Sequence, residues 1–296
     1  MTPGVAAVYE GVFMRLLNSG AFARRLPPGA LRFARQAKRL LRRSVGLPNP
    51  TTGRPHNLFP PGTRFAGAYP TREAALAAIP QDVLAGYDHR EVAPVSFERM
   101  CELVLWDYPI LFWLARLLPD APHVVDAGGH MGTKYRAFSK VLALDPPVSW
   151  TIYDLPEIVR AGRARAEAEG LRALAFVEDP SEVAAVDVFL ASGLFQYLDV
   201  PIATMLGRLP RLPPHLLVNK VANWDGKTTF TLENFGVALV PYQIRNTKEF
   251  LGEASQLGYE VVDEWQIAPL SHQLDTHPKL GHWSSSGFYM RLRGVR

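Results

Sequence analysis

The feature that most constrains the fold is a regular alternation of short apolar segments with helical segments from residue 123 onward. The apolar segments are HVVDA, SWTIYDL, LAFVED, VDVFLASG and PHLLVNKV, and each is followed by turn or helix signals. The segment NTKEFLGEASQLGYEVVDEWQI then adds a helix and a strand, and SGFYMRLR adds a last strand. Strands that alternate with helices form a mainly parallel sheet with helices on both faces. The sequence therefore predicts an α/β fold.

The first strand runs into a glycine-rich turn, HVVDAGGHMG, at residues 123–132. Its glycines allow a sharp turn and a close approach of the backbone to a ligand. Their spacing matches neither the G-x-G-x-x-G of a dinucleotide loop nor the G-x-x-x-x-G-K-[ST] of a phosphate loop. What remains is a D-x-G-G-x-x-G pattern after a strand. This pattern indicates either a loop that binds another ligand or a tight turn without a ligand.

Acidic residues end the next two predicted strands. Asp154 ends the second strand and lies 22 residues after Gly132. In dinucleotide sites an acid at about this spacing binds a ribose, although Asp154 can also cap the helix that begins at Pro156. The third strand ends in Glu178 and Asp179, and we favour Asp179 because it is nearer the following loop. The acidic residues at the ends of the second and third strands are therefore candidate ligand contacts.

Several segments together resemble one bacterial family of predicted class I S-adenosylmethionine-dependent methyltransferases, known largely from gene clusters for surface polysaccharides and specialised metabolites. The segments are GAYPTREAALAAI, GYD at 86–88, DAGGHMG, YDLPEIV, ASGLFQYL, and VPYQIRN with LGYEVVD. The resemblance implies a Rossmann-like class I methyltransferase fold with a mostly parallel seven-stranded sheet and helices on both faces. It also implies S-adenosyl-L-methionine as the cofactor and O-methylation of a saccharide or small-metabolite hydroxyl.

The resemblance further implies which residues contact the cofactor. The acid and glycines of the first loop face its methionine and ribose parts, Asp154 bonds the ribose hydroxyls, and an acid after the third strand faces the adenine amino group. His130 departs from the pattern, because many class I enzymes have a small residue there. The implied set is Asp126, Gly128, Gly129, His130, Gly132, Asp154, Leu155, Glu178, Asp179, Ser192 and Gly193.

Candidate catalytic residues come from two later segments. An oxygen acceptor often needs a general base, and the segment VNKVANWDG contains no histidine. SHQLDTHPKLGHW offers His272 and His282, and VPYQIRN offers Tyr242. The histidine spacing does not fit a zinc site, so no metal is predicted. Solvated or hydrogen-bonded loop histidines are the alternative interpretation.

Charge is distributed unevenly along the chain. Residues 11–72 hold twelve Lys or Arg and no Asp or Glu, whereas the remaining residues hold 20 basic against 28 acidic side chains, a net charge of −8. Residues 30–45 predict a basic amphipathic helix, which is typical of binding to an anionic membrane surface or to nucleic acid. The lack of interleaved aromatic residues argues against single-stranded nucleic acid. Docking of this helix on the acidic body is the alternative.

These patterns divide the chain into two parts. Residues 1–65 are predicted to be a basic helical N-terminal arm with a Pro/Gly-rich linker. Residues 66–296 are predicted to be the methyltransferase domain, with a helical cover at 66–120 and a Rossmann-like core at 121–296. The oligomeric state is left open.

The cysteine content and the apolar segments of the sequence predict its cellular compartment. A single cysteine, Cys101, allows no intramolecular disulfide and favours a reducing compartment. The amino terminus lacks the basic start and apolar core of a signal peptide, and the apolar run at 103–118 is too short and charged to span a bilayer. We expect a cytoplasmic enzyme, peripheral at the inner membrane face if the arm binds lipid. A catalytically weak methyltransferase-like scaffold or membrane-associated binding protein is the alternative.

Overall fold

The computed structural model describes residues 58–60, 62–85, 97–236 and 238–295. The predicted basic arm with its helix at 30–45, most of the linker, and the GYD segment at 86–88 lie outside the described residues. None of the described helices is both long enough and apolar enough to cross a lipid bilayer.

Seven strands form the central sheet, in the spatial order β5-β4-β3-β6-β7-β12-β10. The strands from β3 to β7 pair in parallel, β12 pairs antiparallel with β7, and β10 pairs antiparallel with β12. Six of these seven strands therefore point the same way. Their bounds are β3 His123–Ala127, β4 Ser149–Tyr153, β5 Leu174–Val177, β6 Val188–Ser192, β7 His215–Trp224, β10 Tyr259–Gln266 and β12 His282–Leu292.

Five further strands enlarge this sheet, which the sequence did not predict. β1 (Phe65–Tyr69), β8 (Thr229–Asn234) and β9 (Ala238–Asn246) pair antiparallel in the order β1-β8-β9. The end of β9 pairs in parallel with the end of β7, while the two-residue strands β2 (Leu84–Ala85) and β11 (His272–Gln273) pair with β9 and β12. The expectation of seven strands is therefore corrected to a mixed sheet of twelve.

The helices follow the local signals in the sequence. Thr71 caps the first helix by accepting a hydrogen bond from the Ala74 amide, 3.1 Å. The segments expected to form a helical cover contain short helices and a 3₁₀ turn at Leu105–Asp107, together with the strand β1. The helices are α1 Arg72–Ala77, α2 Phe97–Met100, α3 Tyr108–Leu117, α4 Thr133–Phe138, α5 Pro156–Ala168, α6 Ile202–Leu206 and α7 Thr247–Gln256.

Two hydrophobic layers lie on opposite faces of the central sheet. Neighbouring residues on a strand point to opposite faces, so Val124 joins the layer with α3, α4 and α5, while Val125 joins the layer with α6 and α7. Leu190 and Phe189 divide between the two layers in the same way. Helices on both faces are therefore confirmed. This double cover leaves the carboxyl ends of the parallel strands as the place where loops converge.

Candidate active site

The glycine loop joins β3 to α4 and has the backbone conformation that its sequence suggested. Gly128 and Gly132 have φ of 67° and 77°, which favours glycine. The Gly128 amide donates to the Tyr153 carbonyl of β4, 2.8 Å. A Cβ on Gly128 would lie 2.9 Å from Leu194, and one on Gly132 would lie 2.6 Å from Leu174. Side chains are therefore excluded from this turn by the segments that surround it.

Asp126 is a buried carboxyl at the base of this loop. It is 1% exposed, and its Oδ2 accepts a hydrogen bond from Trp150 Nε1, 3.2 Å. A Cβ on Gly129 would lie 2.7 Å from this carboxyl. Burial raises the pKa of Asp126 to about 7, although the Trp150 hydrogen bond and Lys134 oppose the rise. Asp126 therefore titrates close to neutral pH.

Asp154 and His130 hold the loop ends of β3 and β4 together. Asp154 Oδ2 accepts a hydrogen bond from the His130 amide, 2.8 Å, and Oδ1 accepts one from the Leu155 amide, 2.7 Å. His130 has a φ of 56°, an uncommon conformation for a non-glycine residue. Leu155, beside Asp154, is 40% exposed. The structure thus brings together three residues that the resemblance assigns to the cofactor.

Glu178 and Asp179 lie after β5 and are about half exposed. Asp179 Oδ1 accepts a hydrogen bond from the Ser181 amide, 2.9 Å, which lowers the pKa of Asp179, and it faces Arg208 at 3.5 Å. Glu178 lies 3.9 Å from Arg163. Asp179 is thus engaged in capping the short 3₁₀ turn Pro180–Glu182, while Glu178 has the looser contact.

The loop after β6 carries Ser192, Gly193 and Gln196 to the same edge of the sheet. Ser192 Oγ lies 3.4 Å from Asn219 Nδ2, and the Gly193 amide donates to the Asn219 carbonyl, 2.9 Å. Gln196 is 7% exposed, and its Oε1 has no hydrogen-bond partner among the described residues. Arg245 fixes this loop by donating to the carbonyls of residues 195, 198 and 200.

Lys220 was not among the residues expected in the site, and it lies next to this loop. A Cβ on Gly193 would be 2.8 Å from Lys220 Nζ. Lys220 has a φ of 59° in the middle of β7. Burial lowers the pKa of Lys220 to about 8, with Lys134 as the next contributor. The sequence shows a lysine at this position but gives no sign of the backbone conformation that turns it toward Gly193.

An aromatic cluster adjoins the loop after β6. The ring of Phe65 lies 4.9 Å from that of Tyr242, 5.0 Å from that of His272 and 5.1 Å from that of Trp283. Tyr197, at the end of the β6 loop, packs on Tyr242 with ring centroids 5.6 Å apart. The strands β1, β9 and β12 therefore close one side of the carboxyl-end region with aromatic rings.

A buried ion pair lies beside these rings. Glu233 is fully buried, forms an ion pair with Arg64, and accepts a hydrogen bond from the Tyr197 hydroxyl, 2.9 Å. Burial, followed by the Glu233 charge, raises the pKa of Tyr242. Burial and Arg64 lower the pKa of His272 to about 4. At neutral pH Tyr242 therefore keeps its proton and His272 is uncharged.

The two candidate histidines are not brought together. His272 is partly buried in the aromatic cluster, whereas His282 is exposed at the start of β12, opposite Gln273. No group of three His, Cys, Asp or Glu side chains that could hold a metal occurs within the residues that the structure covers. Tyr242 and His272 thus share one cluster, and His282 lies at its exposed border.

Comparisons with known proteins give partial likenesses in structure. No protein-family model matches the sequence, and no curated protein is similar to it. The structure of 1,6-didemethyltoxoflavin-N1-methyltransferase from Burkholderia thailandensis, with 1,6-didemethyltoxoflavin and S-adenosylhomocysteine bound, is 20% identical, with a TM-score of 0.44 over 64% of this chain and 78% of that chain.

Two further solved structures are similar to a comparable extent. An O-methyltransferase family protein from Burkholderia thailandensis is 17% identical, with a TM-score of 0.46 over 71% of this chain and 62% of that chain. OxaC is 14% identical, with a TM-score of 0.47 over 70% of this chain and 52% of that chain. These identities and TM-scores are low, and the function proposed below therefore rests on this chain's own residues.

Proposed function

We propose that this chain is a class I S-adenosylmethionine-dependent methyltransferase that methylates a hydroxyl of a saccharide or another small metabolite. The observation that carries the proposal is the junction between the glycine loop and Asp154. The two lie at the carboxyl ends of neighbouring parallel strands, and the His130 amide joins them by a 2.8 Å hydrogen bond. Ligands of open α/β sheets bind at this edge.

The residues at this edge fit the chemical parts of S-adenosylmethionine. The left-handed conformations of Gly128 and Gly132 make a tight turn whose backbone can closely approach the methionine and ribose parts. The carboxylate of Asp154 can accept hydrogen bonds from ribose hydroxyls, and the exposed side chain of Leu155 offers an apolar surface to the adenine. Glu178, rather than the Asp179 favoured from the sequence, supplies an acceptor for the adenine amino group in this proposal, because Asp179 is already engaged in capping the 3₁₀ turn. When bound, the cofactor supplies an electrophilic methyl group.

The acceptor is placed by the aromatic cluster in this proposal. Methyl transfer depends mainly on holding the acceptor oxygen in line with the methyl group. The rings of Tyr197 and Tyr242 can pack on the apolar face of a sugar or aromatic ring, and the Tyr242 hydroxyl retains its proton and so can donate a hydrogen bond. These properties support a small ring-bearing acceptor.

Calorimetric titration with S-adenosylmethionine and S-adenosylhomocysteine tests the proposal. We expect both to bind, and Asp154→Ala to weaken both by at least about tenfold, because a charge-assisted hydrogen bond contributes about 1.5–3 kcal/mol. Asp145→Ala is the matched control, since Asp145 is an exposed acid in the segment before β4 rather than after it.

Two outcomes would contradict the proposal. One is the absence of binding by either ligand at submillimolar concentration. The other is an equal loss of affinity in Asp154→Ala and Asp145→Ala. A melting curve of each variant separates loss of the site from loss of the fold, because Asp154 also holds the left-handed backbone at His130.

A further inference from the structure

A β-bulge interrupts the pairing of β7 with β12 next to the candidate site. Val221 pairs with Ser286 and Val218 pairs with Phe288, so Asn219 and Lys220 together oppose Gly287 alone. Lys220 takes a left-handed conformation there, with φ 59°. Bulges bend a strand locally and re-aim side chains, often beside active sites. The bulge is therefore the reason that Lys220 departs from the regular alternation of β7.

Contacts from outside β7 hold the bulge in place. Asn219 Nδ2 donates to the Trp106 carbonyl and its Oδ1 accepts from Trp265 Nε1, both at 3.0 Å. Opposite the bulge, a Cβ on Gly287 would lie 2.1 Å from the Trp265 ring, so only glycine fits. The conformation of Lys220 is thus set by three elements packed around it and does not depend on a preference of lysine itself.

The bulge places the Lys220 amine over Gly193, at the carboxyl end of β6. The missing side chain of Gly193 leaves the space that Lys220 Nζ approaches, and the Gly193 amide is fixed on the Asn219 carbonyl. The next residue, Leu194, is the one that packs against Gly128 of the glycine loop. The Lys220 side chain is half-buried, and Nζ makes no hydrogen bond or ion pair within the part of the chain that the structure describes.

Four charged groups act on Lys220. Lys134 on α4 and Arg64 before β1 repel its positive charge, whereas Asp107 and Asp126 attract it. Desolvation is the largest effect, and together they lower the pKa of Lys220 to about 8. About a tenth of the amine is therefore in the free-base form at pH 7, far more than for an ordinary lysine. Asp107 offsets the shift only in part, because it is already paired with Lys134 at 2.7 Å.

The other candidate bases are less suited to accept a proton. Tyr242 has a raised pKa and retains its own proton. His272, with a pKa of about 4, is a weak base and is enclosed between the rings of Phe65 and Trp283. Lys220 has the required free-base form. It also lies over the β6 loop, which contacts the glycine loop through Leu194 and leads to Tyr197 of the aromatic cluster.

We propose that Lys220 is the general base of methyl transfer, with its ε-amine at the transfer centre; this rests on the function proposed above. The acceptor hydroxyl gives its proton to the lysine nitrogen while its oxygen forms a bond to the methyl carbon. The bond between that carbon and the sulfur breaks, and its electron pair remains on the sulfur. One positive charge thus passes from the sulfonium to the lysine ammonium, and the net charge of the buried site is unchanged.

The test uses the charge difference between two ligands and requires no acceptor. S-adenosylmethionine carries a sulfonium charge that S-adenosylhomocysteine lacks. A protonated Lys220 at the transfer centre repels the first ligand only. Calorimetric titration of the full chain between pH 6.5 and 9.0 should show the affinity for S-adenosylmethionine, relative to that for S-adenosylhomocysteine, rising about tenfold, the equivalent of one pKa unit.

Three variants complete the test. Lys220→Met should make the affinity ratio independent of pH above pH 8, where Asp126, with its pKa of about 7, is already ionised, and should favour S-adenosylmethionine throughout. Lys220→Arg should also remove the pH dependence but disfavour S-adenosylmethionine throughout, since arginine stays charged. Lys227→Met, which changes an exposed lysine beyond the end of β7, should behave as the unmodified chain.

The outcomes distinguish the two proposals. A pH-independent affinity ratio in the unmodified chain, or an unaltered pH dependence in Lys220→Met, overturns the assignment of Lys220 while leaving cofactor binding intact. Failure of both ligands to bind the unmodified chain overturns the proposed function itself. Melting curves of the variants show whether a loss of binding comes from unfolding.

Discussion

His130 and Lys220 are the two non-glycine residues with positive φ in the described part of the chain. Both lie at the candidate site, where sparsely populated backbone conformations often concentrate because the surrounding structure compensates for their cost. His130 is held by the carboxylate of Asp154, and Lys220 is held by the bulge opposite Gly287. His130, which differs from the small residue common in the family that the sequence resembles, is thus also the residue with the left-handed backbone held by Asp154.

His272 and Asp126 affect the free energy of unfolding in opposite directions between pH 4 and 7. The pKa of His272 is lowered to about 4, so between pH 6.5 and 4 the unfolded chain binds a proton that the folded chain does not, and stability falls as pH falls. The pKa of Asp126 is raised to about 7, so in the same range the folded chain binds the extra proton and stability rises. The two effects offset each other in the unmodified protein.

Replacement of His272 separates these effects. On lowering the pH from 7 to 4.5, the free energy of unfolding of His272→Gln should change more favourably than that of the unmodified chain, by up to about 3 kcal/mol, because no imidazole is left to protonate on unfolding. Urea denaturation at pH 4.5 and pH 7 measures the difference. The control is His277→Gln, at an exposed position. Parallel pH profiles for His272→Gln and the unmodified chain would contradict a buried, neutral His272.

At the scale of secondary-structure elements, the turn before α3 is tied to α4 by a buried ion pair. Lys134 Nζ lies 2.7 and 2.8 Å from the two carboxylate oxygens of Asp107, whose side chain is fully buried. Asp107 Oδ2 also accepts a hydrogen bond from the Val104 amide, 3.1 Å. The segment before α3 is therefore attached to the helix that follows the glycine loop.

Removing one charge of this pair should be strongly destabilising. Asp107→Asn is expected to lower the free energy of unfolding by about 3 kcal/mol or more, because it leaves the Lys134 charge buried without its partner. The double variant Asp107→Asn with Lys134→Met should recover part of this loss. Urea denaturation measures both. Glu260→Gln, which breaks an exposed pair with Arg291, should cost less than about 1 kcal/mol, and an equal cost for Asp107→Asn would refute the prediction.

At the scale of the whole molecule, positive charge is concentrated in the amino-terminal part of the chain and negative charge in the rest. The twelve basic residues of 11–72 contrast with a net charge of −8 in the rest of the chain. An arm of this composition suits the surface of an anionic membrane. We therefore extend the proposal to a cytoplasmic enzyme that associates with the inner membrane face, with a methyltransferase-like scaffold as the alternative if no turnover is found.

Vesicle sedimentation tests the role of the arm. The full chain should bind phosphatidylserine-containing vesicles at 0.1 M salt and much less at 0.5 M. Replacing Arg39, Arg42 and Arg43 together by Gln should weaken binding by about a hundredfold, at about 1 kcal/mol per charge. The matched control replaces Lys227, Lys248 and Lys279, which are exposed in the folded domain. Equal binding by the two triple variants would favour an arm that docks on the acidic body instead.

The sequence by itself determined the features that depend on local pattern. The alternation of strands and helices, the glycine loop and the acid at the end of the second strand could all be read from neighbouring residues. The reason is that side-chain periodicity, capping and left-handed turns are governed by contacts only a few residues apart. The left-handed glycines at 128 and 132 are examples that the structure places as expected.

The aromatic cluster and the bulge at Lys220 depend on contacts between segments that are distant in sequence. Arg64 and Glu233 are 169 residues apart in sequence, and β1 pairs with β8 over a similar separation. The conformation of Lys220 depends on Trp106, Trp265 and Gly287, each on a different element. Contacts between distant segments leave no periodic pattern, because each strand edge could pair with many others until packing selects one. The sequence thus predicts the candidate cofactor edge, and packing between distant segments sets which other residues face it.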